Sequence, residues 1–313
     1  MRERRIDVDG CAFSYVEGPQ NGPPLVLLHG QGSRWQDYRK VLPWLVQHYH
    51  VHAIDVPGHG GTDRLAPGAY TNRHIVDLLA HVLDAVLDRP AFVSGHSSGG
   101  LLAVGLAAHH PRLVRGVLLE DPPLFSAEPR RITTTTGGVL PRLAADYLRD
   151  WPPGGFQRHY VANADYFAFF GPLSGWLTRR ALRWIDRHPG RALRLWFLPP
   201  LVNVWFEGLV DYDPEFGAAW HNGSWFNGFD TAAALDSITV PAVLVHTTWW
   251  HDTHGTSYSD EGILMAAMDT DDAARAAQLL DPCEVIRIKS GHLVHFERPK
   301  QYVQAVDQLA AKA

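Results

Sequence analysis

The chain has 313 residues, 46% of them hydrophobic, and 28 basic side chains against 33 acidic ones give it a net charge of −5. That length suits one large domain carrying an insertion, and the acidic balance argues against a nucleic-acid-binding face. No run of about 18 apolar residues occurs, the charged start Met1-Arg2-Glu3-Arg4-Arg5 lacks the apolar stretch of a signal peptide, and Cys11 and Cys283 form no Cys-x-x-Cys pattern. A membrane span, a secretory leader and a disulfide framework are therefore excluded as expectations, and a cytoplasmic protein is the default.

In chain order, Arg5–Val8 and Cys11–Val16 read as an opening antiparallel hairpin turned at Asp9-Gly10. Apolar runs then alternate with helical periodicity. Strands are predicted near 24–28, 51–55, 90–94, 114–119, 241–246 and 284–288, with helices near 35–47, 73–88, 98–109, 270–280 and 299–311. Ile75, Leu78, Leu79, Val82, Leu83, Val86 and Leu87 recur at helical spacing and read as core. Such alternation implies an α/β fold with a mainly parallel sheet covered on both faces. Residues 125–235 break the alternation and hold seven of the eleven tryptophans, among them Trp205 and Trp225.

The most informative motif is Gly95-His96-Ser97-Ser98-Gly99, set between the strand at 90–94 and the helix at 98–109. A strand running through a small-residue turn into a helix is what a nucleophile elbow requires. The turn strains Ser97 and exposes its hydroxyl, while Gly95 and Gly99 let strand and helix approach. A serine hydroxyl needs a base beside it. His292, after Gly291 at the exit of the strand at 284–288, is the preferred candidate. His295 is read as a packing neighbour, and His96 as a buried, hydrogen-bonded residue pointing away from the serine. The eighteen histidines include no His-Glu-x-x-His, and His109-His110 and His251-x-x-His254 lack an acidic third ligand, so no metal and no cofactor are expected.

Together with His29-Gly30-Gln31-Gly32-Ser33 after the strand at 24–28, and Pro57-Gly58-His59-Gly60 after Asp55, these motifs resemble the α/β-hydrolase fold family over residues 5–123 and 237–311. The resemblance implies a core of residues 1–124 and 236–313, with 125–235 inserted after the sixth strand as a helical cap. It implies Ser97 as nucleophile and His292 as base, with an oxyanion hole made by the amides of Ser98 and Gln31, Gly30 being the alternative donor. For the third triad member, Asp121 at the end of Val117-Leu118-Leu119-Glu120-Asp121 is preferred. Asp252 beyond the strand at 241–246 is the runner-up and Glu120 a third candidate. Asp55 and the Pro57–Gly60 turn are expected to be structural, Asp260–Leu264 a solvent loop, and Glu297 a cap or staple for the last helix.

A serine at the elbow favours acyl transfer over the alkyl-ester chemistry of relatives with aspartate there. The region around Asp121 resembles macrolactone hydrolases of the zearalenone type, so a lactonase acting on a bulky hydrophobic ester or lactone is expected. Gly30, Trp205, Trp225, Phe226 and Trp249 are the expected substrate-binding residues. The alternatives are a carbon–carbon bond hydrolase, a general carboxylesterase, and a non-catalytic receptor for a hydrophobic ligand. No nucleic-acid partner is expected, and an aromatic cap face offers a surface for a homodimer.

Overall fold

The computed structural model covers residues 1–313. Eight strands form one sheet: β1 (Arg2–Val8), β2 (Cys11–Glu17), β3 (Pro24–Leu28), β4 (His50–Ile54), β5 (Ala91–His96), β6 (Val114–Glu120), β7 (Ala242–Thr247) and β8 (Cys283–Ile288), in spatial order β1-β2-β4-β3-β5-β6-β7-β8. β1, β2 and β4 pair antiparallel, and every pairing from β4 across to β8 is parallel. All residues of β3, β4, β5 and β7 are buried, as strands covered on both faces must be.

The first three helices are α1 (Leu42–Leu45), α2 (Asn72–Val86) and α3 (Ser98–His109). α2 starts where Thr71 accepts a hydrogen bond from the His74 amide, and it buries Ile75, Leu78, Leu79, Val82 and Leu83 along one stripe. The helix expected over 35–47 is instead a 3-10 helix, Trp35–Lys40, followed by the single turn α1. Pro43 explains the break, because it has no amide to donate to a preceding turn and is tolerated only where a helix begins.

Between β6 and β7 lie α4 (Val139–Asp150), α5 (Gly155–Asn163), α6 (Ser174–Arg187), α7 (Pro200–Leu209), α8 (Pro214–Asn222) and α9 (Thr231–Asp236). The chain finishes with α10 (Trp249–His254), α11 (Thr270–Leu279), α12 (Val294–Glu297) and α13 (Pro299–Ala310). One hydrophobic cluster runs without interruption from sheet residues such as Val26 and Val93 through α2 and α3 into Leu143, Phe206 and Trp225 of the inserted helices. A second cluster, including Tyr38, Leu118 and Tyr302, fills the opposite face. The insert is thus welded to one face of the sheet by shared apolar burial, the dominant favourable term in folding.

The parallel registers bring the strand ends level: Leu28 stands beside Gly95, His96 beside Glu120, and Glu120 beside Val245. The loops after β3, β5, β6, β7 and β8 therefore leave the sheet along one edge, where open α/β sheets bind their ligands. No helix is long and apolar enough to cross a membrane.

Candidate active site

Ser97 follows the last residue of β5 and precedes α3, with φ 54° and ψ −123°. That left-handed backbone is costly for a residue with a side chain, and it is enforced from both sides. A Cβ on Gly95 would collide with the Gly99 carbonyl, and one on Gly99 with the Leu28 carbonyl, so only glycines let strand, turn and helix close this tightly. The Ser97 amide donates to the Glu120 carbonyl at 3.0 Å and is not available to a ligand.

The amides of Gln31 and Ser98 remain. Ser98 opens α3, so no residue four back in the helix can accept its N–H. Gln31 donates its amide to no other backbone group. The loop that carries it is propped by two buried histidines. His29 donates Nδ1–H to the Gly30 carbonyl and accepts from the Val56 amide at 3.0 Å through Nε2. His59 accepts from the Gly32 amide at 3.1 Å. Burial lowers the pKa of His29 to about 4 and that of His59 well below the ordinary value, so both stay neutral and can accept. Sequence reasoning treated the Pro57–Gly60 turn as backbone support and missed this direct prop. The available signal was a histidine beside a glycine turn at each strand end.

Asp121 follows β6 at φ 44° and is fully buried. Its Oδ2 lies 2.7 Å from His292 Nδ1 and accepts from the Thr247 hydroxyl at 2.9 Å, while Oδ1 accepts from the Thr247 amide at 3.1 Å. Thr247 was not foreseen, and nothing in a single sequence marks it. The imidazole of His292 is 40% exposed and reaches the cavity. Burial pulls its pKa down. The hydrogen bond and charge of Asp121, with Glu120 and Glu297 behind, outweigh that effect and hold the pKa above the ordinary 6.5.

Neither alternative acid meets His292. Asp252 sits in α10, partly exposed, and accepts from the Thr248 hydroxyl at 2.8 Å, because a full helical turn carries it away from the end of β7. Glu120 is the last residue of β6 and the chain turns at Asp121, so the two carboxylates part, and that of Glu120 takes both the amide and Nδ1 of His295 at 2.8 Å. Both of these side chains are wholly buried. His96 is buried too, its Nε2 3.1 Å from the His292 carbonyl and its ring 4.6 Å from that of His292. Glu297 ends α12, where it accepts from the Gly291 amide at 3.2 Å and steadies the His292 loop rather than the last helix.

Above these groups lies a cavity of about 630 Å³, lined at its base by Gln31, Ser97, Ser98, Asp121 and His292 and at its walls by Leu140, Tyr160, Tyr166, Leu201, Trp205, Trp220, Trp249 and Trp250. The expected substrate-binding set needs correction. Trp205 and Trp249 line the cavity. Trp225 does not: it is fully buried, its ring 4.5 Å from Trp220 and 5.0 Å from Phe226, so that aromatic density serves packing. Phe226 belongs to the same stack. Gly30 lies beneath the elbow, where a Cβ would press on Ser97 and His96. In the loop at 260–264, Leu264 is buried and its amide and carbonyl bond Thr134 and Thr136, so this end of the loop closes against the insert. Gly208 of α7 touches the Gly32 carbonyl with no room for a Cβ, which seats the insert directly on the Gln31 loop.

Comparison with known proteins bears on the fold that carries this site. A family model described as alpha/beta hydrolase fold matches residues 23–299. The pimeloyl-[acyl-carrier protein] methyl ester esterase of Chromobacterium violaceum is 37% identical over 105 residues, 34% of this chain and 39% of that protein. The 2-hydroxymuconate semialdehyde hydrolase of Pseudomonas sp. strain CF600 is 38% identical over 101 residues, 31% of this chain and 36% of that protein. The chain spans a third to a half of the length of the curated relatives it matches. Among solved structures, the enol-lactonase of Burkholderia xenovorans LB400 superposes with a TM-score of 0.65 at 17% identity, covering 98% of this chain and 100% of that one.

Proposed function

The chain belongs to the α/β-hydrolase family, and from that premise we propose that it is a serine hydrolase cleaving a neutral, bulky, hydrophobic ester or lactone, with lactones its preferred class. The observation that carries the reading is Ser97 held strained at the base of a cavity that it shares with His292, whose Nδ1 lies 2.7 Å from the buried Asp121. Ser97 Oγ attacks the substrate carbonyl carbon while His292 Nε2 takes the hydroxyl proton. Asp121 fixes the imidazole tautomer and stabilises the imidazolium. The amides of Gln31 and Ser98 hold the oxyanion. Collapse expels the alkoxide, which takes the proton from His292 and, in a lactone, stays tethered to the acyl group. Water, deprotonated by His292, then releases the acid and restores Ser97. These steps call on no cofactor.

Substrate class follows from the walls. Residues 125–235 act as a cap whose Trp205, Trp220 and Tyr160 close an apolar chamber within the size range of small-molecule sites. No arginine or lysine lines the cavity, whereas Asp37, Asp121 and Glu297 do. A substrate carrying its own carboxylate would be buried there without a counter-charge, at high cost. That favours a neutral ester or lactone. Carbon–carbon cleavage, the second reading, draws on the likeness to 2-hydroxymuconate semialdehyde hydrolase, but the chamber offers no cation for an anionic dienoate.

The test is acid release in a pH-stat from macrocyclic lactones, acyclic aryl and alkyl esters, and a dienoate, with Ser97→Ala as the blank. The expected result is Ser97-dependent release, fastest from the lactones. Release from acyclic esters alone makes the protein a general carboxylesterase, and turnover of the dienoate alone overturns the proposal.

A further inference from the structure

The outer side of the insert carries a surface that the reaction does not use. α6 buries Leu177, Ala181 and Ile185 on one stripe and turns Trp176, Arg179, Arg180, Arg183 and Arg187 outward. Phe169 and Leu173 precede that helix, Trp196 and Phe197 follow it, and Leu201 begins the next; all six apolar side chains are exposed, Trp196 to 86%. Three of the four rings are connected: Trp196 lies 5.7 Å from Phe197 and Phe197 lies 6.4 Å from Trp176, with the Arg180 guanidinium 5.6 Å from the Trp176 ring and 5.9 Å from that of Phe197. Large apolar groups exposed together mark an interaction surface.

Charge identifies the partner. Residues 169–201 hold six arginines, with Arg191 and Arg194 completing the set, against one carboxylate, Asp186, for a net +5 in a chain whose total is −5. All six arginines are exposed. A two-fold contact between copies would set this patch against itself and face arginine with arginine, so a second copy of the chain is a poor occupant. Exposed tryptophan, phenylalanine and leucine among arginines match instead the water–hydrocarbon boundary of an anionic membrane, where indole rings settle at headgroup depth and arginines are drawn to the anionic headgroups.

We propose that Phe169, Leu173, Trp176, Trp196, Phe197 and Leu201, framed by the α6 arginines, dock the protein peripherally on an anionic lipid surface. Leu201 belongs both to this patch and to the cavity wall, so the docked face adjoins the route to Ser97. Delivery of a bilayer-dissolved substrate along that route rests on the hydrolase reading above; the docking itself does not.

The test is co-sedimentation of the full chain with vesicles of phosphatidylcholine alone and of equal parts phosphatidylcholine and phosphatidylglycerol. The proposal expects binding to the mixed vesicles, weakened by salt, and little binding to the neutral ones. Trp196→Ala with Phe197→Ala, and separately Arg180→Glu with Arg183→Glu, each lower the partition coefficient by about tenfold or more, while thermal unfolding and hydrolysis of a dissolved short ester stay unchanged. No binding, equal binding to both compositions, or binding indifferent to both variants overturns it. So does a homodimer that Trp196→Ala dissociates, since the patch would then be a contact between copies.

Discussion

Two acid–histidine pairs lie side by side in this molecule, built from neighbouring residues and yet unlike in role. Asp121 holds His292, and Glu120 holds His295, at 2.7 Å and 2.8 Å. The first pair ends in an imidazole 40% exposed to the cavity, whereas the second is sealed on both sides. Glu120 binds the His295 backbone as well as its ring, and Tyr38 packs 4.3 Å from that ring. The end of β6 thus parts two successive carboxylates, Asp121 toward the cavity and Glu120 toward the join between β6 and the α12 turn. Position relative to the cavity, more than residue type, distinguishes the two pairs, and under the proposed function it makes the first the reactive one.

Substitutions should break this comparison cleanly. Asp121→Asn is expected to lower kcat by about 10⁴-fold, because the amide favours the wrong imidazole tautomer, while the protein remains folded; steady-state kinetics beside a thermal melt would check this. Asp252→Asn should leave kcat within about twofold of wild type, since Asp252 bonds only its own helix start. Glu120→Ala should do the reverse of Asp121→Asn. Stranding the buried amide and ring nitrogen of His295 costs about 3 kcal/mol in denaturant unfolding, with kcat of the folded enzyme changed far less than in Asp121→Asn.

The pH dependence sharpens the contrast. His292 must be neutral to act as base, and Asp121 stabilises its charged form. The acid limb of kcat/KM should therefore have its midpoint above 6.5, with activity lost as pH falls through it. In Asp121→Asn the residual activity should show that midpoint displaced downward, because burial then acts with less opposition. Stability runs on other histidines. Burial lowers His29 and His52 to about 4, and His59 and His96 well below the ordinary value. The unfolded chain takes up these protons near 6.5, so it binds more protons than the native state below that pH. Stability falls as pH drops from about 6.5 toward 4. Asp55, raised by burial to about 6, and the likewise raised Asp37, Asp211, Glu215 and Asp272 work against the trend, while His109 and His159, also lowered by burial, add to it. Melting temperatures measured across that window should decline steadily, in Ser97→Ala as in wild type.

The sheet and the elbow were legible because both rest on local pattern. Short apolar runs such as Pro24–Leu28 and Ala242–Val245, alternating with helical stretches, fit covered strands, and Gly95-His96-Ser97-Ser98-Gly99 encodes its own strained turn. The choice among Glu120, Asp121 and Asp252 was harder, since it depends on which side of a strand end each carboxylate leaves and on where β8 delivers His292. The pairing Asp121–Thr247 joins residues 126 apart and has no local signature. Aromatic density misled for a similar reason. Trp225 and Trp205 each precede a phenylalanine, and only tertiary packing, Trp225 against Trp220, Phe226 and Phe229 and α7 on the Gln31 loop, decides which faces the chamber.

The central claim is that Ser97 is the nucleophile energised by His292 and Asp121. The most direct measurement is the rate of covalent labelling by an aryl fluorophosphonate, followed by intact mass and peptide mapping in wild type, Ser97→Ala, Asp121→Asn and Asp252→Asn. The account predicts one label per chain, located on Ser97, absent in Ser97→Ala, strongly slowed in Asp121→Asn and unaltered in Asp252→Asn. Labelling elsewhere, or normal labelling of Asp121→Asn with loss in Asp252→Asn, would contradict it.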